Sequence, residues 1–478
     1  MSGQRTVASV ILELLGKHGV TRAFGIPGVH NLPFWDTESE SAPRIIGVRH
    51  EQAAGYACDG LFRATGVPGA ALLTSGPGAA NIMAAFGEAF VSNSAMLVLA
   101  SEVNQSLRSS TGPRGILHEM ANQGAMFEAF GAPARTARTR QEAIASTVLA
   151  LRDAWGPPPL SSYVGIPTDV LGEEWTSSVP HIPRLPAPAA DPHDVGALAE
   201  LISASSRVVL WLGGGVVSAD AEEQVRRLAH RLGSPVVTTY AGRGLLAGDP
   251  LLVNAPVHEP EVAQVVADAD LLLVIGSSFD GMNTKNWRLP LPPRRAAITL
   301  GTLIQQTVDF DCLISADVRT ALIALEEQLD ESAVAPRTPW VDVSGIRPAI
   351  VRRLLDDPRT EQAMTWVQQV ESGWSSDGAV VCDMSVGAYW VGGYSEQPRP
   401  RRLQYAVGWG TLGFALPAAI GPASVGIPTL AVCGDGGPMF ALGELATYAQ
   451  ESLPITLLIV DDGGYGMLRF DQAVAGDE

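Results

Sequence analysis

Positive charge is scarce in this sequence: 32 Lys and Arg stand against 50 Asp and Glu, a formal net charge of −18. A surface of that sign repels nucleic-acid backbones and anionic membranes alike, so neither is an expected partner. Cysteine is equally sparse. Cys58, Cys312, Cys382 and Cys433 are the four in 478 residues, too scattered for a disulfide framework or a C-x-x-C metal site. No apolar run is long enough to span a bilayer. The amphipathic start, with Val7, Val10, Ile11, Leu14 and Leu15 on one helical face, lacks the apolar block of a signal peptide. These absences predict a protein of the reducing cytoplasm.

What the chain has is core-forming material. Hydrophobic residues make up 46% and charged residues 17%, and the length suits two or three domains. Short apolar strands alternate with amphipathic helices, which predicts parallel βα units and an α/β fold of three doubly wound parallel-sheet domains. In the first block the strands are expected at Val20–Gly25, Ile45–Val48, Ala70–Thr74 and Met96–Ala100, and in the second at Val208–Leu212, Val236–Thr239, Leu271–Ile275 and Ala297–Leu300. Those of the third are expected at Val380–Cys382, Leu430–Cys433 and Ile455–Val460. The proline-rich stretch from Val179 to Pro192 and the segment from Asp330 to Pro348 read as linkers. The expected domains are therefore 1–175, 190–330 and 349–478.

The densest chemistry lies between Thr429 and Gly466. A buried strand ends in Gly434-Asp435-Gly436-Gly437, a helix from about Phe440 to Glu451 crosses back, and a second buried strand, Ile455–Val460, ends in Asp461-Asp462-Gly463-Gly464. Such a crossover makes the strands parallel neighbours, so both acidic turns emerge at one carboxyl edge, where open α/β sheets bind ligands. Either turn alone reads equally as a solvated Asp-Gly loop. Two together suit a hard divalent cation bridging to a phosphate, with Gly436 and Gly437 leaving room at a helix N-terminus.

Gly434-Asp435-Gly436 followed some way on by Asp461-Asp462 resembles the signature of thiamin-diphosphate enzymes, in which Gly-Asp-Gly precedes Asn-Asn. By that resemblance Asp435, Asp462 and the carbonyl of Gly464 hold Mg2+, with Gly434, Gly436, Gly437 and Tyr465 around the diphosphate. Both family asparagines are aspartates here, which adds negative charge beside a diphosphate. Upstream, Gly408-Trp409-Gly410-Thr411-Leu412-Gly413 resembles the family segment under the cofactor's central bend, with Leu412 as the apolar support beside Gly410. Arg49-His50-Glu51 matches the segment whose glutamate hydrogen-bonds the pyrimidine ring and promotes its imino form, making Glu51 the first catalytic candidate. Read alone, Glu51 is an ordinary acidic residue at a helix N-terminus.

The turns Gly25-Ile26-Pro27-Gly28 and Thr74-Ser75-Gly76-Pro77-Gly78, with Asn81, resemble the lining of the pyrimidine pocket. Gln123 and His118 resemble a segment that reaches substrate. The sequence resembles acetolactate synthase large subunits and 2-oxo acid decarboxylases, including guanidino-oxo-acid types. The resemblance implies thiamin diphosphate, Mg2+ and a small 2-oxo acid as ligands, and decarboxylation followed by ligation to a second carbonyl. Simple decarboxylation, or an inactive or split homologue serving as a binding subunit, are the alternatives. It also implies a homodimer or homotetramer, because relatives bind the cofactor between subunits. The middle block's Gly213-Gly214-Gly215 follows a strand, but no acidic residue ends the next strand to grip a ribose; relatives carry FAD there or nothing. Relatives also continue beyond Asp462 with further strands, so the last domain is expected to be incomplete.

Overall fold

The computed structural model describes residues 5–475 except 38, 110, 111, 113, 184, 302, 303, 305, 306, 375 and 376. Three sheets of parallel strands carry the fold, as the alternating pattern predicts. The first holds β1 (Arg22–Gly25), β2 (Arg44–Gly47), β3 (Gly69–Leu73), β4 (Met96–Glu102), β5 (Ala134–Thr136) and β6 (Ser162–Pro167) in the order β2-β1-β3-β4-β6-β5. The second holds β7 (Val208–Leu212), β8 (Val236–Thr238), β9 (Leu271–Ile275), β10 (Arg294–Ile298) and β11 (Cys312–Ile314) in the order β11-β10-β9-β7-β8. Central strands such as β4 and β9 are buried at every residue. Helices cover both faces of such sheets, which is why these strands read as unbroken apolar runs.

By their internal contacts these residues group into two compact units. One joins residues 1–185, 378–386 and 406–478; the other takes 186–377 and 387–405. Helices Ile346–Asp356 and Glu361–Gly373, expected to open the last block, belong to the second unit. There Ile350, Leu354, Met364 and Val367 share a core with Val209 and Trp211. Strand β13 (Leu403–Tyr405) is also counted in that unit. A linker can be read from composition, but the core its flanking helices join cannot.

In the first unit, β12 (Ala379–Cys382), β14 (Thr429–Gly434) and β15 (Ile455–Val460) lie side by side and parallel in that order. β15 is not buried as expected. Among the described residues it pairs along one edge only, its residues are half-buried or exposed, and Ile459 is 46% exposed. Beneath this sheet, helix Ala415–Ala423 packs on helix Glu51–Thr65 backbone to backbone. A Cβ on Gly60 would stand 2.1 Å from the Ala418 carbonyl oxygen, and one on Gly421 would stand 2.3 Å from that of Ala57. Only glycine permits that approach, and it merges residues from both ends of the chain into one core, from Phe24 and Tyr56 to Phe414 and Cys433.

Candidate active site

In the first sheet β2 and β3 flank β1 on opposite sides. The strand order thus reverses direction at the β1–β3 pair, and turns leaving such a point open a crevice at the carboxyl edge. The turn after β1 is pinned by Asn31, whose Oδ1 accepts from the Gly28 amide at 2.7 Å and whose Nδ2 donates to the Ile26 carbonyl at 3.1 Å. Gly28 in turn lies against Thr74, at the start of the other turn.

That second turn requires glycine at position 76. Its φ is +59°, and a Cβ would meet the backbone of His118 at 2.8 Å. Gln123 fixes it further: buried, it accepts from the Gly76 amide at 2.7 Å and donates to the Ser101 carbonyl and the Tyr163 hydroxyl. Its amide hydrogens are thereby taken. The structure places Gln123 under the turn, where it supports Gly76.

Glu51 opens helix Glu51–Thr65 directly after β2, with His50 accepting from the Gln52 amide at the cap. The residue is 9% exposed, and its carboxylate accepts from Asn81 Nδ2 at 3.0 Å and lies against Gly78. No described Lys or Arg forms an ion pair with it. The turn before it is held by Glu444, a buried residue of the last block that accepts from the amides of Arg49 and His50 at 2.8 and 3.1 Å. Burial pushes the Glu444 carboxyl up, against the pull of Thr447 and those two amides.

His118 brings a partner the sequence did not announce. Its Nδ1 lies 3.2 Å from Ser75 Oγ, and the Nδ1 of His30 lies 2.5 Å from the same oxygen, with the two rings edge to face at 5.3 Å. A hydroxyl between two imidazole nitrogens donates to one and accepts from the other. Burial, with His118 beside it, holds His30 below the usual imidazole range. Only the presence of His30 beyond Pro27-Gly28 could have drawn attention to it.

At the other end, Gly434 and Val460 face each other in the β14–β15 register, so the turns carrying Asp435 and Asp462 leave adjacent strands at one level. Asp435 is half-buried and accepts from the Gly436 amide. Asp461 and Asp462 are exposed and accept from the Gly463 and Gly464 amides, and Arg469 lies 3.5 Å from Asp462. No three His, Cys, Asp or Glu side chains among the described residues cluster as a ready metal cage. The turn after Asp435 is a 3-10 turn, Gly437–Phe440, and the helix starts only at Glu444. Its i→i+3 bonds, Met439 to Gly436 and Ala441 to Pro438, replace the expected helix start at Phe440.

Against this geometry the comparisons are decisive. Family models of the thiamine pyrophosphate enzymes match the N-terminal TPP binding domain over residues 5–126, the central domain over 195–325 and the C-terminal TPP binding domain over 385–478. A probable 2-ketoarginine decarboxylase of Pseudomonas aeruginosa is 33% identical over 482 residues, covering 98% of this chain and 84% of that protein. The chain belongs to the thiamine pyrophosphate enzyme family. Acetolactate synthases of Mycobacterium avium and Bacillus subtilis are also similar, at 30% and 28% identity, covering 99% and 97% of this chain and 78% and 83% of theirs.

The donor sets suit the two halves of thiamin diphosphate. The shielded carboxyl of Glu51 fits a ring nitrogen. Asp435, Asp461 and Asp462, of which Asp462 alone has an ion-pair partner among the described residues, Arg469, would repel a diphosphate unless a cation intervened. Mg2+ commonly takes one or two carboxylates and completes its shell with phosphate oxygens and water, so a three-residue cage is not required. Leu412, 50% exposed, is presented between Gly410 and Gly413. Tyr465 is exposed beyond Gly464.

The middle sheet repeats the switch-point geometry at β7 and β9 but fills it with backbone. A Cβ on Gly213 would stand 2.3 Å from the Gly276 carbonyl oxygen, and one on Gly215 would stand 2.7 Å from the Gly276 Cα. Close packing of two turns accounts for these glycines without a nucleotide. No described helix is long and apolar enough to cross a membrane.

Proposed function

We propose that this chain binds thiamin diphosphate with Mg2+ and decarboxylates a small 2-oxo acid. The observation that carries the reading is Glu51, a carboxyl withdrawn from water and held by Asn81 at the switch point of the first sheet. When bound, thiamin diphosphate supplies a thiazolium carbon that attacks the ketone and takes up the electrons released with carbon dioxide. Glu51 holds a proton at the pyrimidine ring, and Asn81 fixes the carboxyl's orientation. Asp435, Asp462 and the Gly464 carbonyl hold the cation, and Leu412 supports the bend. The family resemblance puts the complete site between subunits, so a homodimer or homotetramer in the cytoplasm is part of the proposal. The resemblance also allows FAD in the middle domain, but the packed glycines there give it no support.

Ligation to a second carbonyl, as in the acetolactate synthases, was the expected outcome. The His30–Ser75–His118 chain favours the other fate, because two imidazoles sharing a hydroxyl are equipped to deliver a proton, which releases an aldehyde. Supplying pyruvate and a panel of longer 2-oxo acids with thiamin diphosphate and Mg2+ separates the two. Aldehyde with carbon dioxide is the expected product, lost on chelation of the metal. Acetohydroxy acid as the main product would restore ligation, and failure to bind thiamin diphosphate would remove the whole reading.

A further inference from the structure

The loop from Gly408 to Ala415 carries Leu412 at its tip and turns through Gly410 at φ +76° and Gly413 at φ +73°. Such a loop has few backbone partners of its own, yet its amides are taken by two buried carboxylates, one on each side of Leu412. Glu88, fully buried on helix Met83–Val91, accepts from the Gly408 amide at 3.2 Å, the Trp409 amide at 2.9 Å and the Thr411 hydroxyl at 3.5 Å. Asp383, buried just after β12, accepts from the amides of Gly413 at 3.0 Å and Ala415 at 3.2 Å.

The two carboxylates are compensated differently. Glu88 pairs with Arg63 at 3.1 Å, and Arg63 also pairs with Asp59 at 2.6 Å. No ion pair reaches Asp383 among the described residues. Burial pushes its carboxyl up, opposed by the amides of the loop itself. A buried carboxylate is costly unless its hydrogen bonds are met, so here the loop and its two anchors fix one another.

We propose that Glu88 and Asp383 are positioning residues that set the height and angle of Leu412 under the cofactor. The proposal rests on the reading of Leu412 as that support. Glu88 comes from the first third of the chain and Asp383 from the last, so the side chain that must meet the bend is braced from both. An error of about 1 Å in such a support can cost about 100-fold in rate.

A double-mutant cycle on the full-length enzyme tests it, with Glu88→Gln, Leu412→Ala and the pair, following kcat, KM and the Kd for thiamin diphosphate. Hydrogen exchange of the loop amides is followed in protein free of cofactor. Glu88→Gln is expected to speed exchange at Gly408 and Trp409 about tenfold and to lower kcat about tenfold, with Kd within about threefold. On the Leu412→Ala background the same change should cost less than about twofold, because a residue acting through Leu412 is not additive with its loss. Equal losses on both backgrounds would overturn the proposal alone. A Leu412→Ala enzyme of full rate would overturn the reading of Leu412 and the proposal with it. Asp383→Asn gives the same test from the other side should Glu88→Gln not fold. In the unaltered protein, fast exchange at Gly408, Trp409, Gly413 and Ala415 would overturn it without any variant.

Discussion

The first and second sheets share one topology and use it for opposite ends. Read from the β2 and β8 edges, both run second strand, first strand, third, fourth, so each reverses at the pair formed by its first and third strands. At that point the first sheet presents side chains: Asn31 and His30 after β1, Ser75 and Asn81 after β3, with Glu51 opening the helix after β2. The second presents glycine backbone pressed on glycine backbone, Gly213 against Gly276. Topology supplies the crevice in both cases. Whether it becomes a site depends on whether side chains or main chain occupy it.

The sharpest way to break that contrast is Glu51→Gln. It should lower kcat by about 100- to 10,000-fold, the range of a lost general acid or base, while calorimetry shows thiamin diphosphate still binding in the presence of Mg2+. A variant with near-normal turnover would reduce the first switch point to the same structural standing as the second.

A milder probe is pH. His30 is held below its ordinary value of 6.5 by burial and by His118, so the unfolded chain binds more protons than the folded one around that pH. The stability contributed by keeping His30 neutral is therefore complete above 6.5 and lost as pH falls through the lower folded value. Delivering a proton needs the protonated imidazole, so aldehyde release should fall as pH rises through that lowered value, and His30→Asn should remove this limb and slow release by about 100-fold. An unchanged limb would sever His30 from the chemistry.

The smallest effect on turnover belongs to Gly213→Ala. Its Cβ must displace the Gly276 backbone, so thermal unfolding should show a loss of about 1–3 kcal/mol with kcat of the folded fraction unchanged. A specific loss of kcat would mean that the second switch point takes part in the reaction after all.

Much of this was legible beforehand because parallel strands buried on both faces are continuous apolar runs, and because Asp435 and Glu51 sit in motifs with a recognisable neighbour order. What escaped reading depends on partners far away in sequence. Glu88 looks like any polar residue in a helix until Trp409 is folded onto it, and Glu444 until it meets Arg49. Gln123 was expected near substrate, and its support of the Gly76 turn, 47 residues away in sequence, could not be read there. The strand Ile455–Val460 is apolar enough for a core, but its half-exposure follows from its place at the sheet's edge, which composition does not record.

The glycine-to-backbone seam between helices Glu51–Thr65 and Ala415–Ala423 has a consequence for synthesis. Ala57, Gly60 and Leu61 leave the ribosome about 350 residues before Ala418 and Gly421, a wait of roughly 20 to 70 s at about 5–20 residues per second. Throughout that interval the nascent first third holds a narrow apolar seam with nothing to close it. Chaperone demand during translation, rather than the stability of the finished enzyme, is where changes along that seam should first be felt.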